Sequence, residues 1–157
     1  MGGKWECHAE SLAWFQIVDY NAAMFRFPRL LIGLVAAWNL QAAIVFILFP
    51  QSFVSGYELS GVAGEAAVRG VGVLFLMWNV PYVFAVIDLK RYSLGLVFAL
   101  WMQAVGLVGE GVIYFSLPAG HAVLQSSILR FIAFDFTGLV LLFIAYLIFR
   151  RKEFLKS

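Results

Sequence analysis

One stretch decides the fold: EAAVRGVGVLFLMWNVPYVFAVI, residues 65–87. From residue 66 onward it exceeds the ~20 apolar residues that a helix needs to cross a ~30 Å hydrocarbon core. After its first residue it holds a single charge, Arg69, and it carries Asn79 and Pro81 in its second half. Asp88-Leu89-Lys90-Arg91 follows and adds two cations. A helix through a bilayer with a short basic loop behind it is the unit from which the rest is built.

Composition agrees with that unit. Hydrophobic residues make up 63% of the 157 and charged residues only 13%, against about a quarter charged in an ordinary soluble domain. Such a chain would aggregate in water unless lipid covered it, so the bilayer is its first partner. The net charge of +2, with no basic run among polar residues, argues against a nucleic-acid partner. Cys7 is the only cysteine, which excludes an intrachain disulfide, a CxxC redox pair and a cysteine-based zinc site. The opening MGGKWECHAE has no apolar core, so no cleavable signal peptide is expected. Glu6 stands where a myristoylation motif wants Ser or Thr.

Working outward, three more spans appear. Upstream, QSFVSGYELSGVAGE is a loop made flexible by three glycines and three serines. Before it, span one covers residues 30–49, with Arg26, Pro28 and Arg29 ahead of it and Pro50 behind it. Downstream, span three covers residues 93–115 and span four residues 126–149. Leu117-Pro118-Ala119-Gly120-His121 is the turn between them. Residues 9–27 place Trp14, Ile17, Val18 and Phe25 at helical spacing among Glu10, Asp19 and Arg26. This pattern predicts a helix lying in the interface. Short connections make neighbouring spans antiparallel. The expected fold is therefore all-α: an integral membrane four-helix bundle with an N-terminal interfacial helix. It divides into the interfacial segment 1–28, the bundle 29–150 and a basic tail 151–157.

Lysine and arginine placement orients the chain. Nine of the eleven lie in the two tails or in the loop between spans two and three. The positive-inside rule then puts both termini in the cytoplasm.

Depth, at ~1.5 Å per residue, selects the candidate site residues. Arg69, Glu110 and Arg130 all fall within roughly 10 Å of the outer boundary. Asp135 lies deeper, level with Asn39, and Asn79 matches Gln103 lower still. Gln103 and Glu110 are seven residues apart and share a helix face. Asn39 and Gln41 point about 200° apart, so one is interior and the other sits near a side seam. Buried charge in a membrane costs at least ~2.5–3.5 kcal/mol on insertion scales. Pairing is therefore expected: Arg69 with Glu110, and Arg130 with Asp135 or Glu110, although Arg130 and Asp135 point ~140° apart on their own helix. The cluster is either packing glue or a ligand site formed by Arg69, Glu110, Arg130, Asp135, Asn39, Asn79 and Gln103. Gly70, Gly72, Gly106, Gly109 and Gly111 are small residues that let helices approach closely.

No catalytic residue and no metal site is read. His8 and His121 lie outside the spans, so no bis-histidine haem fits between helices. HExxH, GxSxG and Walker A patterns do not occur.

Arg-Leu-Leu-Ile-Gly-Leu at 29–34, Leu-Phe-Pro at 48–50, a glycine-rich loop, and Glu65 with Arg69-Gly70-Val71-Gly72 resemble the DoxX-like superfamily, in its four-helix membrane branch. The likeness covers residues 29–116 and implies a four-span bundle of the bacterial inner membrane. Some members of that family look like membrane subunits of quinone-linked oxidoreductases. Three functions are then carried forward. The first is a non-catalytic accessory subunit or lipophilic-ligand-binding bundle, with a membrane-complex partner or as a homo-oligomer, and with no cofactor of its own. The second is a quinone-linked component using Glu110 or Asp135 as acid or base. The third is a small proton-coupled transporter using the same carboxylates.

Overall fold

Helix α1, Arg26–Leu48, starts ahead of the apolar run and takes Arg26, Pro28 and Arg29 into its first turn. Proline fits there because the first helical N–H groups have no partner to lose. This computed structural model describes residues 25–154. The predicted interfacial helix lies outside the described residues except for its last three. Of these, Phe25 is buried, its ring centroid 5.7 Å from that of Phe149.

Three more helices follow: α2, Gly61–Ile87; α3, Ser93–Ser116; and α4, Ala122–Phe154. All four are long and apolar enough to cross a membrane. Two short 3-10 turns, Pro50–Ser52 and Val54–Tyr57, join α1 to α2. Helix α1 packs on α2 and α4, and α3 packs on α2 and α4, closing a ring of neighbours. The described residues form an all-α four-helix bundle of the polytopic membrane class. Helix α4 continues through the arginine pair into the predicted tail, because a helix need not stop where the hydrocarbon does.

One spacing repeats in every helix. Buried positions include Pro28, Ile32, Val35, Asn39, Ala43 and Phe46 in α1, flanked by Leu31 and Ala36, and Gly64, Val68, Gly72, Asn79, Tyr82 and Ala85 in α2. In α3 they are Leu96, Ala99 and Gln103; in α4, Ile128, Asp135, Leu142, Ala145 and Phe149. Steps of three and four keep one narrow stripe toward the neighbours. The other faces carry large apolar side chains such as Leu34, Phe98 and Trp101, the last 65% exposed. Lipid solvates those faces.

The helices touch through small residues, but not all those expected. A Cβ at Gly72 would lie 2.8 Å from an Ile47 side-chain carbon and 3.0 Å from the Ala43 carbonyl oxygen, so α1 and α2 cross there. At Gly95 it would lie 2.7 Å from the Pro81 carbonyl oxygen. Gly70, Gly109 and Gly111 have open space around them instead. They sit off the buried stripes, where small size serves no contact.

Two side chains tie the helix ends. Arg29 donates from Nε to the Val86 carbonyl (2.6 Å) and from a terminal guanidinium nitrogen to the Ile87 carbonyl (2.7 Å). It thus satisfies C-terminal carbonyls of α2 with a cation at the negative end of that helix dipole. At the opposite end of the bundle Glu58 sits in the left-handed region with φ 55°. Its carboxylate meets His121 Nδ1 at 2.5 Å and accepts from the Leu124 N–H at 3.3 Å. A loop carboxylate therefore caps α4 from the other connection. The His121 hydrogen bond, then that of Leu124, holds the Glu58 carboxyl below its ordinary range, against an opposing desolvation.

Candidate functional site

A chain of buried hydrogen bonds crosses the bundle. The Tyr82 hydroxyl donates to Gln103 Oε1 at 2.6 Å, and Gln103 Nε2 donates to Asp135 Oδ1 at 2.7 Å. These groups come from α2, α3 and α4. Asn39 of α1 lies near the Tyr82 hydroxyl. Asn39, Gln103 and Asp135 are 5%, 4% and 7% exposed. In hydrocarbon such groups must find partners in the protein.

Two glycines make the room. A Cβ on Gly138 would lie 2.7 Å from Gln103 Nε2, and one on Gly106 would overlap Asp135 Oδ2. Gly106 was expected as a packing residue; its contact is with a carboxylate rather than with another helix backbone.

Glu110 lies toward the Glu58 end of α3, seven residues beyond Gln103 on the same face. Its carboxyl is within electrostatic reach of Asp135 and of Tyr57. Its Oε2 is buried with no hydrogen-bond partner. Burial first, and then the Glu110 carboxyl, push the Tyr57 hydroxyl above its ordinary range. Asn79 is also buried, but its amide nitrogen donates to the Phe75 carbonyl of its own helix at 2.8 Å and its oxygen has no partner. It does not join the chain.

The expected ion pairs do not form. Arg69 is exposed and pairs with Glu65 one turn earlier, at 3.7 Å. Val68 and Gly72 face the neighbours, and Arg69 is one position off that stripe, about 100° round the helix. Arg130 is also exposed; its Nε donates to the Ser126 carbonyl at 3.3 Å. Its ~140° separation from Asp135 keeps it off the buried face. Among the described residues no arginine pairs with Glu110 or Asp135. Tyr82 was not among the expected site residues, although it lies three residues after Asn79 on the stripe of Val68 and Gly72.

Arg130 lines a different feature. A cavity of about 730 Å³ lies between α1, the 3-10 turns and α4. Its walls are aromatic: Trp38, Phe46, Phe53, Tyr57, Phe131 and Phe134 among them. Trp38 and Phe134 meet edge to face at 4.7 Å. Gln41, Ser52, Ser55, Ser127 and Arg130 are among its polar groups. Gln41, the partner of interior Asn39 in the seam argument, is exposed at this wall.

No protein-family model, no curated protein and no solved structure matches the chain.

Proposed function

We propose that this protein is a non-catalytic, lipophilic-ligand-binding bundle. The observation that carries the reading is the aromatic cavity between α1 and α4. Its volume of about 730 Å³ falls within the roughly 300–1,000 Å³ of single-ligand pockets. The lining has the usual composition of such pockets, mainly apolar with a few placed polar groups. A location in the bacterial inner membrane, implied by the likeness to the DoxX-like superfamily, and cytoplasmic termini, which rest on the distribution of basic residues, belong to the same proposal. So does a DoxX-like ancestry, which rests on residues 29–34, 48–50 and 65–72.

Native mass spectrometry of gently solubilised protein tests the reading. The wild type should retain a lipophilic small molecule, and Ala42→Trp, which fills the cavity wall, should lose it. Equal retention by both would move the ligand elsewhere, and a bare wild type would remove the reading. A quinone among the released molecules would favour the quinone-linked alternative, whose ring oxygens Gln41 and Arg130 could accommodate as donors.

A proton-coupled transporter has one observation of its own, the unpartnered Oε2 of Glu110 beside Asp135. Proton uptake by reconstituted vesicles, present in the wild type and absent in Glu110→Gln, would support it.

A further inference from the structure

Among the described residues, Arg130 is the only charged side chain lining the cavity. Among the described residues no carboxylate lies within ion-pair distance of it. Its Nε bond to Ser126 is internal to α4 and leaves the two terminal nitrogens of the guanidinium fork for another acceptor. Gln41 and Ser127 stand on the same lining, as do Ser52 and Ser55 of the 3-10 turns. Ser52, Ser55, Ser127 and Arg130 lie toward the Glu58 end, Gln41 lies nearer the middle of α1, and Trp38 and Phe134 extend the wall toward the middle of α1 and α4. Aromatic rings line the cavity along its whole length, Phe53, Tyr57 and Phe131 beside the cation and Trp38 and Phe134 beyond it.

We infer that the cavity binds a single-chain acidic amphiphile, its carboxylate or phosphate on Arg130 and its hydrocarbon chain along Trp38 and Phe134. This rests on the ligand-binding reading above and narrows it to a chemical class. A guanidinium pairs with such head groups through two parallel N–H···O bonds. In the membrane those bonds are formed near low-dielectric walls, where they are stronger than in water. A neutral lipophile would gain the aromatic contact alone. One cavity of this size suits one chain rather than the two of a full phospholipid. Two sources share the chemistry: free fatty acids and lysophosphatidic acid.

Trp38 lies in the wall and serves as the reporter. Dibrominated stearate, its methyl ester and a brominated lysophosphatidic acid are titrated into protein held in phosphatidylcholine nanodiscs, at a pH where the acids are ionised. The Trp38 signal is the difference between wild type and Trp38→Phe. At least one acid should quench it with a half-saturation about tenfold below that of the ester, a difference worth about 1.4 kcal/mol. Which acid does so identifies the source. Arg130→Gln should bring acid and ester together, and Arg130→Lys should keep part of the preference. Circular dichroism checks that both variants remain helical. If the ester matches both acids in the wild type, the acidic ligand is overturned and the ligand-binding reading stands. If acid and ester both leave Trp38 unquenched, both readings fall.

Discussion

Replacing Gln103 by leucine removes the middle of the buried chain. Asp135 then loses the donor at 2.7 Å and Tyr82 loses the acceptor at 2.6 Å. Tyr82 keeps a longer bond to the Ala99 carbonyl at 3.3 Å, so Asp135 bears most of the loss. Interhelical hydrogen bonds in membranes average about 0.6 kcal/mol and reach about 1.7. Stranding a buried polar group costs roughly 1–3 kcal/mol. With one group stranded and one weakened, Gln103→Leu should cost about 2 kcal/mol by the same scale. Asp135→Asn keeps an acceptor for Gln103 and should cost under about 1 kcal/mol. Asp135→Leu alone strands the Gln103 amide. The double variant strands neither partner and should be about 1 kcal/mol more stable than the sum of the singles predicts. Unfolding in mixed micelles by added sodium dodecyl sulfate, followed by tryptophan fluorescence and circular dichroism, measures each term. Strict additivity, or a Gln103→Leu variant as stable as wild type, would refute the claim that these groups hold the helices together.

Other positions give independent tests. Arg29→Gln should destabilise the bundle by about 1–3 kcal/mol, since a charged donor leaves two helix-end carbonyls; the same micelle titration reads it. Gly72→Leu should cost more than Gly70→Leu, because only the first would meet Ile47 and the Ala43 carbonyl; thermal unfolding of the pair compares them. Because the Glu58 carboxyl is held below its ordinary range, its contribution is present above the unfolded value and lost as pH falls through the folded one. The acid limb of the stability profile should therefore be shallower in Glu58→Gln, as pH-stepped thermal unfolding would reveal. Reporter fusions at Ser157 and beside Pro118 should report opposite sides of the membrane; the same side for both would contradict the four-span topology.

Much of the architecture was legible because it depends on crude quantities. Apolar length specified four spans, and short loops specified antiparallel neighbours. Boundaries were less legible, as charges at 26 and 29 suggested a flank whereas the backbone was already helical. Nothing in hydropathy shows that Arg29 reaches the end of α2. The Glu58–His121 contact was equally hidden, since it joins two loops 63 residues apart in sequence.

The site divides along a sharper line. Depth alone grouped Asn39, Gln103, Glu110 and Asp135 with Arg69 and Arg130, and the bundle separates the two sets. What separates them is angle. Gln103 follows Leu96 and Ala99 by steps that hold one face, and Asp135 does the same with Ile128 and Leu142. Arg69 stands one position off the face of Val68 and Gly72. Arg130 stands five residues from Asp135, about 140° round the helix. A long cation near a helix end can reach the interface whichever way it points, so it exerts little demand for a buried partner. A carboxamide near the bilayer centre has no such reach and must be met by another helix. Depth says how costly a polar group is; only the three-and-four spacing says whether its neighbours can share that cost, and Tyr82 was overlooked because its spacing mattered more than its polarity.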